Sequence, residues 1–74
     1  MSIKLNQSSY EVLERFNVPH NVEYNLVELQ YYPFQQLFHI VFFKEKKEIR
    51  FYSYTELAKA KSDLSTVLST TRAI

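Results

Sequence analysis

The chain has 74 residues, with nine basic and eight acidic side chains and a formal charge of +1. It contains no cysteine and no glycine, which excludes disulfides, thiolate metal sites, cysteine nucleophiles and glycine-rich phosphate loops. The nearly balanced charge argues against the strong positive field of a dedicated nucleic-acid-binding protein. Since 46% of the residues are hydrophobic, including six Phe and six Tyr, we expect one domain over residues 1–74 that is stabilised by aromatic packing.

The N-terminal region predicts a short helix. Residues 1–7 alternate between apolar and polar side chains, which favours either a short edge strand or a loose end. Residues 8–11 (SSYE) have the spacing of a helix-capping box. Pro19 disfavours helical geometry just before it, so the helix should end near Asn17. Its apolar stripe would consist of Tyr10, Val12, Leu13 and Phe16.

The next segment has the two-residue period of a strand. Apolar side chains alternate with polar ones from Val22, but the phase flips at the adjacent pair Leu26 and Val27. An inserted residue produces such a flip, so we expect a β-bulge or a sharp bend there. Pro33 lies in the connection 32–36 and favours a turn.

Residues 37–54 predict a β-hairpin with an apolar first arm, a charged tip and an alternating second arm. An even-length loop centred on Lys46 and Lys47 would place Phe42 opposite Phe51. A three-residue loop would instead place Val41 opposite Phe51, but it normally requires a Gly or Asn that the tip lacks. The even loop is therefore favoured. It assigns Phe38, Ile40, Phe42, Ile49 and Phe51 to an inner face, and His39, Val41, Phe43, Arg50, Tyr52 and Tyr54 to an outer face.

A second helix should follow the hairpin directly, because residues 53–56 (SYTE) repeat the capping-box spacing. Ser62 and Asp63 form a second potential cap that would break this helix, and residues 70–74 are expected to be a loose end. Its apolar stripe consists of Leu57, Ala60, Leu64, Val67, Leu68 and Thr71. The sequence thus predicts an α+β fold of order (β)-α-β-β-β-α, in which a three-stranded antiparallel meander packs against one or two helices.

Few residues are suited to catalysis or metal binding. His20 and His39 are the only histidines and Asp63 is the only aspartate, and no pair of histidines has metal-ligand spacing. We expect His39 to be partly buried beside a neighbour that satisfies it, and an enzymatic role would require a deep pocket around it. The prediction is therefore a non-enzyme with no catalytic residue, no metal and no cofactor.

Protein binding is the leading functional hypothesis. If the helices cover one sheet face, the aromatic residues of the other are left exposed, and such patches usually mark interaction sites. If the helices are divided between both faces, the same residues are ordinary core. The first alternative predicts an adaptor or stoichiometric inhibitor that also self-associates as a two-fold dimer. Its interface would consist of Val41, Phe43, Arg50, Tyr52 and Tyr54, extended by Tyr31, Tyr32 and Phe34 in and before the preceding loop.

Single-stranded nucleic-acid binding is the alternative hypothesis. Basic residues at the hairpin tip could neutralise phosphates beside the stacking rings of Tyr52 and Tyr54, although Glu45 and Glu48 in the same tip would repel them. The basic residues concerned are Lys44, Lys46, Lys47 and Arg50. The N-terminus lacks the features of a secretory signal, and no apolar run is long enough to cross a bilayer. We therefore expect a soluble cytoplasmic protein with no membrane partner.

Overall fold

A computed structural model describes residues 9–19 and 21–72, which form an antiparallel sheet followed by a helix. The four strands are paired in chain order, each with the next. The α+β prediction is confirmed, but the described residues form four strands and one helix, whereas the expected order was (β)-α-β-β-β-α. The elements are β1 (Glu11–Asn17), β2 (Leu26–Tyr32), β3 (Leu37–Lys44), β4 (Lys47–Tyr54) and α1 (Leu57–Arg72).

The first predicted helix is wrong, because that segment is strand β1. Phe16 lies opposite Val27 of β2, and the pairing shifts by one residue between Val12 and Glu14. The extra residue of this bulge places two apolar side chains side by side, which mimics the spacing of a helical stripe. Pairing with β2 therefore overrides the local capping signal. The edge strand expected within residues 1–7 lies outside the described residues.

Of the bulge or sharp bend expected at Leu26 and Val27, no bulge is present, because β2 begins there and the chain bends just before it, at residues 22, 23 and 25. Its pairing with β3 is continuous from Leu26 to Tyr32. The preceding residues form a loop in which the Asn21 side-chain oxygen accepts backbone hydrogen bonds from Glu23 at 2.8 Å and Tyr24 at 3.2 Å. An Asx turn of this kind competes with strand formation. The flip in the apolar pattern therefore marks a strand boundary.

The predicted turn before β3 and the hairpin of β3 and β4 are both confirmed, but the register of the hairpin differs from the expected one. Its loop is even, with Lys44 opposite Lys47, and is centred on Glu45 and Lys46 rather than one residue later. Both loop residues have positive φ, 52° and 71°, which is the twist that a tight two-residue hairpin requires. After the loop, the pairing shifts between Phe42 and Phe43.

This shift reverses the predicted faces of β4. Phe42 lies opposite Arg50, and Val41 lies opposite Phe51, because Ile49 is inserted as a bulge. Arg50, Tyr52 and Tyr54 therefore lie on the same face as Phe38, Ile40 and Phe42, whereas the sequence placed them on the other. Neither Glu45-Lys46 nor Lys46-Lys47 contains a Gly or Asn, so no residue in the tip marked which pair would adopt the left-handed geometry.

The core lies between α1 and one face of the sheet, which we call the helix-covered face. Ala60 and Leu64 of α1 are buried, and Val67 and Leu68 pack beside them, as the predicted stripe requires. Leu57 is exposed, and the helix continues through Ser62 and Asp63 instead of breaking there. The buried core residues are Val18, Val27, Leu29, Ile40, Phe42, Ala60 and Leu64.

Candidate functional site

The side of the sheet opposite α1 is covered by no helix or strand of the described residues, and we call it the open face. Strand alternation and the observed register determine its members, because Glu28 and Val41 lie opposite one another and alternate with the core residues of β2 and β3. The open face consists of Val12, Arg15, Asn17, Leu26, Glu28, Gln30, Tyr32, Leu37, His39, Val41, Phe43, Glu48, Phe51 and Ser53.

The centre of the open face is buried even though no element of the described residues covers it. Val41 and Gln30 are each 1% exposed, and Glu28 is 4% exposed. These residues lie on the two central strands, where long side chains of neighbouring strands surround them. A carboxylate and an amide in such a place need hydrogen-bond partners, since an unsatisfied buried polar group costs about 1–3 kcal/mol.

Those partners form a continuous polar chain across β1 and β2. The Arg15 Nε atom donates to Glu28 Oε2 at 2.8 Å. Gln30 Nε2 donates to Glu28 Oε1, also at 2.8 Å, and the Tyr32 hydroxyl donates to Gln30 Oε1 at 2.8 Å. Within the described part of the chain, no buried side-chain nitrogen or oxygen lacks a partner. The polar chain therefore fixes the orientation of these four side chains.

Sequence reasoning missed the polar chain. Glu28 and Gln30 were recognised as the polar side of an alternating strand, and such a side is ordinarily solvated. The available signal was their position on an internal strand, where a polar side chain is surrounded by neighbours on both sides and needs a partner. Arg15 was assigned to the polar side of a helix, so its pairing with Glu28 could not be anticipated.

Beside the polar chain, four rings form a row that crosses the sheet, which we call the aromatic row. The ring centroids of Tyr10 and Tyr32 are 5.2 Å apart, those of Tyr32 and His39 are 4.3 Å apart, and those of His39 and Phe51 are 5.0 Å apart. The two central rings are half-buried, whereas Tyr10 and Phe51 at the ends are 47% and 50% exposed. The two end rings of the row are thus accessible to a partner, and the two central rings between them are packed against their neighbours.

The central rings of the row are uncharged at neutral pH. Burial lowers the pKa of His39 from its ordinary value of 6.5, an effect that the Glu48 carboxylate opposes. Burial also raises the pKa of Tyr32 above 10.0, with further contributions from Tyr10, Glu48 and Glu28. The row is therefore an apolar, neutral surface that adjoins a carboxylate at the hairpin end.

The structure divides the predicted interface residues between two faces. Tyr32, Val41 and Phe43 belong to the open face, and of these Val41 is buried. The Tyr31 ring lies 4.8 Å from that of Phe38 on the helix-covered face. Three others, Arg50, Tyr52 and Tyr54, also belong to the helix-covered face, and Phe34 lies in the exposed turn before β3. Phe51, which the sequence assigned to the inner face, contributes to the open face instead.

The predicted basic cluster is not part of the open face. Lys44 and Lys47 pair with each other at the hairpin tip, and Lys46 lies in the turn. Arg50 projects from the helix-covered face, where its guanidinium lies 6.0 Å from the Phe42 ring centroid and 3.8 Å from the Glu23 carboxylate. The basic side chains are therefore separated from the aromatic row.

Comparisons with protein-family models, with curated proteins and with solved structures found no significant match. The described residues include no group of three or more His, Cys, Asp or Glu side chains placed to hold a metal ion. In the same part of the chain, no helix combines the length and apolar character needed to cross a membrane. Any functional argument therefore depends on the geometry of the open face itself.

Proposed function

We propose that the protein is a small non-enzymatic interaction module, an adaptor or stoichiometric inhibitor, that binds a protein partner through the open face. The observation that supports this most strongly is the aromatic row, which lies on a sheet face with no covering element among the described residues. Aromatic side chains are enriched at interface cores and dominate binding energy when a partner buries them. Exposed apolar patches on small domains usually mark such sites.

The open face is already ordered before any partner arrives. The Tyr32 ring packs between those of Tyr10 and His39 in tilted contacts, and its hydroxyl donates a hydrogen bond to Gln30. A side chain held in this way loses little conformational freedom on binding, so more of the interaction energy contributes to affinity. Arg15, whose side chain is 59% exposed, supplies a charged rim at the β1 side.

The charge distribution favours a protein over single-stranded nucleic acid. The Glu48 carboxylate lies near both central rings, and its negative charge would repel a phosphate backbone. The alternative hypothesis remains that Lys44, Lys46, Lys47 and Arg50 bind single strands. Retention of labelled oligonucleotides in low salt, lost as salt is raised, would favour that alternative over protein binding.

A matched pair of variants tests the proposal. Phe51 and Tyr52 are neighbours on β4 with almost equal exposure, 50% and 47%, but they lie on opposite faces. We expect affinity capture from native extract, analysed by mass spectrometry, to recover a partner with the unchanged protein and with Tyr52→Ser but not with Phe51→Ser. Circular dichroism would verify that both variants are folded. Recovery of the same proteins with all three baits, or loss with Tyr52→Ser alone, would contradict the proposal.

The proposed location is the cytoplasm. The chain has no cysteine and needs no oxidising compartment to fold, which is compatible with the reducing conditions there.

A further inference from the structure

The outer edge of β4 is a long strand edge that no described strand pairs with. β4 is the last strand of the sheet, and seven of its eight residues are exposed. The backbone N–H and C=O groups along such an edge form a template for a further strand. Between residues 50 and 54, Arg50 is the only charged residue and proline is absent. The edge over residues 50–54 therefore has few of the charged residues and prolines that normally prevent the addition of another strand.

The opposite edge of the sheet, formed by β1, is better protected against the addition of another strand. Strand β1 has a bulge in its middle, between Val12 and Glu14. Three of its seven residues are charged, namely Glu11, Glu14 and Arg15. Bulges and charged side chains both discourage edge-to-edge pairing. In β4 the bulge is confined to Ile49, so the regular pairing edge begins immediately after it.

We infer that β4 pairs antiparallel with β4 of a second copy of this chain, which gives a two-fold dimer with one continuous sheet. This goes beyond the proposed function, because the backbone groups along the strand edge form the contact and only Phe51 of the open face takes part in it. The two-fold axis would be perpendicular to the sheet, so both open faces lie on one side and remain accessible. Two-fold dimers are the commonest protein oligomers.

The register of this pairing follows from symmetry. Directly opposite residues in an antiparallel pair orient their backbone groups alike. The two-fold axis must therefore lie midway between the two copies of one residue, so that this residue pairs with itself. An axis at Arg50 would place two like charges opposite each other, which is destabilising. An axis at Tyr52 would place Phe51 opposite a serine. An axis at Phe51 pairs the two Phe51 rings and places each Arg50 opposite Tyr52 of the second copy, where cation–π attraction is favourable.

The helices are compatible with this arrangement. They lie on the same side of the joined sheet, and the side of α1 that borders β4 carries small hydroxyl side chains. The Thr66 hydroxyl donates to the Ser62 carbonyl at 3.3 Å, and the Thr70 hydroxyl donates to the Thr66 carbonyl at 3.0 Å. A groove lined by Tyr52, Tyr54, Asp63, Thr66 and Val67 lies between this side of the helix and the strand. These satisfied, compact side chains leave room for a second copy beside β4.

Cross-linking tests the register directly, because the natural chain has no cysteine. Phe51→Cys would bring two identical thiols together at the axis, within the usual range for a disulfide. Ser53→Cys, on the same strand and face, is the matched control, because its two copies would lie about 13 Å apart. We expect mild oxidation to give a covalent dimer with the first variant and little with the second. Equal cross-linking of both variants, or none in Phe51→Cys, would overturn the pairing.

A charge series at Tyr52 provides a second measurement that leaves the open face unchanged. Tyr52→Lys places two like charges opposite each other at each Arg50 contact, whereas Tyr52→Glu places opposite charges there. In sedimentation velocity we expect the dissociation constant to rise about tenfold or more with lysine and to fall with glutamate, each 1.4 kcal/mol being a factor of ten. A monomer at all accessible concentrations would overturn the inference. It would leave partner capture by the open face as a separate result.

Discussion

At the residue scale, Glu28 is the most constrained side chain of the open face. Its carboxylate accepts hydrogen bonds from both Arg15 and Gln30, and its side chain is only 5% exposed. A buried carboxylate of this kind is tolerated only while both partners remain. Its contribution is to hold the Gln30 and Tyr32 side chains in place rather than to provide a reactive group.

Two substitutions at Glu28 separate hydrogen bonding from charge. We expect Glu28→Ala to lower the free energy of unfolding by about 1–3 kcal/mol, because Gln30 loses its acceptor in a buried site. Glu28→Gln should lose less, since the Gln30 amide can rotate and reverse the direction of the chain while Tyr32 becomes an acceptor. Urea unfolding measures both. Equal losses in the two variants would show that the carboxylate charge, and not the hydrogen-bond chain, is what matters.

His39 gives the molecule a pH dependence of stability. Burial lowers its pKa in the folded state, whereas the unfolded chain takes up the proton near pH 6.5. Stability is therefore complete above pH 6.5 and declines as the pH falls through 6.5 toward the folded-state pKa. Tyr32 and Phe51 on the flanking strands offer it no counter-charge, and the Glu48 carboxylate only partly opposes the effect.

We expect His39→Gln to remove this component. The free energy of unfolding, measured by urea titration between pH 7.5 and pH 5, should fall less steeply with acid in the variant than in the unchanged protein, each unit of pKa shift being worth about 1.4 kcal/mol. The carboxylates titrate in both proteins and cancel in the comparison. Parallel pH profiles would rule out a shifted His39.

At the element scale, the β3–β4 turn determines which side chains reach the open face. Glu45 and Lys46 occupy left-handed geometry with φ of 52° and 71°, which costs about 1–2 kcal/mol for each residue that carries a Cβ. The turn and the Ile49 bulge together place Phe51 on the open face and Tyr52 on the helix-covered face. The backbone of the turn is therefore strained, and the same turn helps to set the register between β3 and β4.

Relieving that strain should stabilise the protein. We expect the double substitution Glu45→Asn with Lys46→Gly to raise the free energy of unfolding by about 1 kcal/mol, because Asn-Gly is the preferred pair for this turn. Lys47→Gly is the matched control. It removes a similar side chain from a strand position without positive φ, and should instead destabilise by about 0.5–1 kcal/mol. Thermal unfolding followed by circular dichroism distinguishes the outcomes, and a loss in both variants would contradict a strained turn.

Helix α1 is joined to the sheet by a polar contact as well as by its apolar stripe. Burial and a hydrogen bond to Asp63 raise the pKa of Tyr54 to about 12. Tyr54 is the last residue of β4 and Asp63 lies within α1. This contact attaches the helix to the end of β4, and the apolar stripe packs the rest of the helix against the sheet.

At the scale of the whole molecule, the sequence predicted the hairpin, the final helix and the side of that helix which packs. Each of these depends on a local pattern, such as the alternation in residues 37–54 or the helical spacing of Ala60 and Leu64. The open face was harder to predict, since its composition depends on one inserted residue at Ile49. A shift of one residue moves every following side chain to the other face, and no local signal distinguished the two registers.

The expected helix over residues 8–17 failed for a related reason. Its stripe and cap describe what that segment would favour in isolation, but pairing with β2 provides backbone hydrogen bonds and packs the partly buried Phe16 beside Val27. Such long-range contacts are not visible in a short window of sequence. Both errors therefore came from strand pairing and neither from composition.

The aromatic row has an optical consequence. The chain has six tyrosines and no tryptophan, so its intrinsic fluorescence comes from tyrosine alone. Two of those fluorophores, Tyr10 and Tyr32, are in ring contact in the row, and Tyr32 also contacts the His39 imidazole. Covering the open face changes the solvent around Tyr10, and protonating His39 changes the charge beside Tyr32. The protein thus carries an internal emission probe at the surface proposed for binding, and no attached dye is needed to observe it.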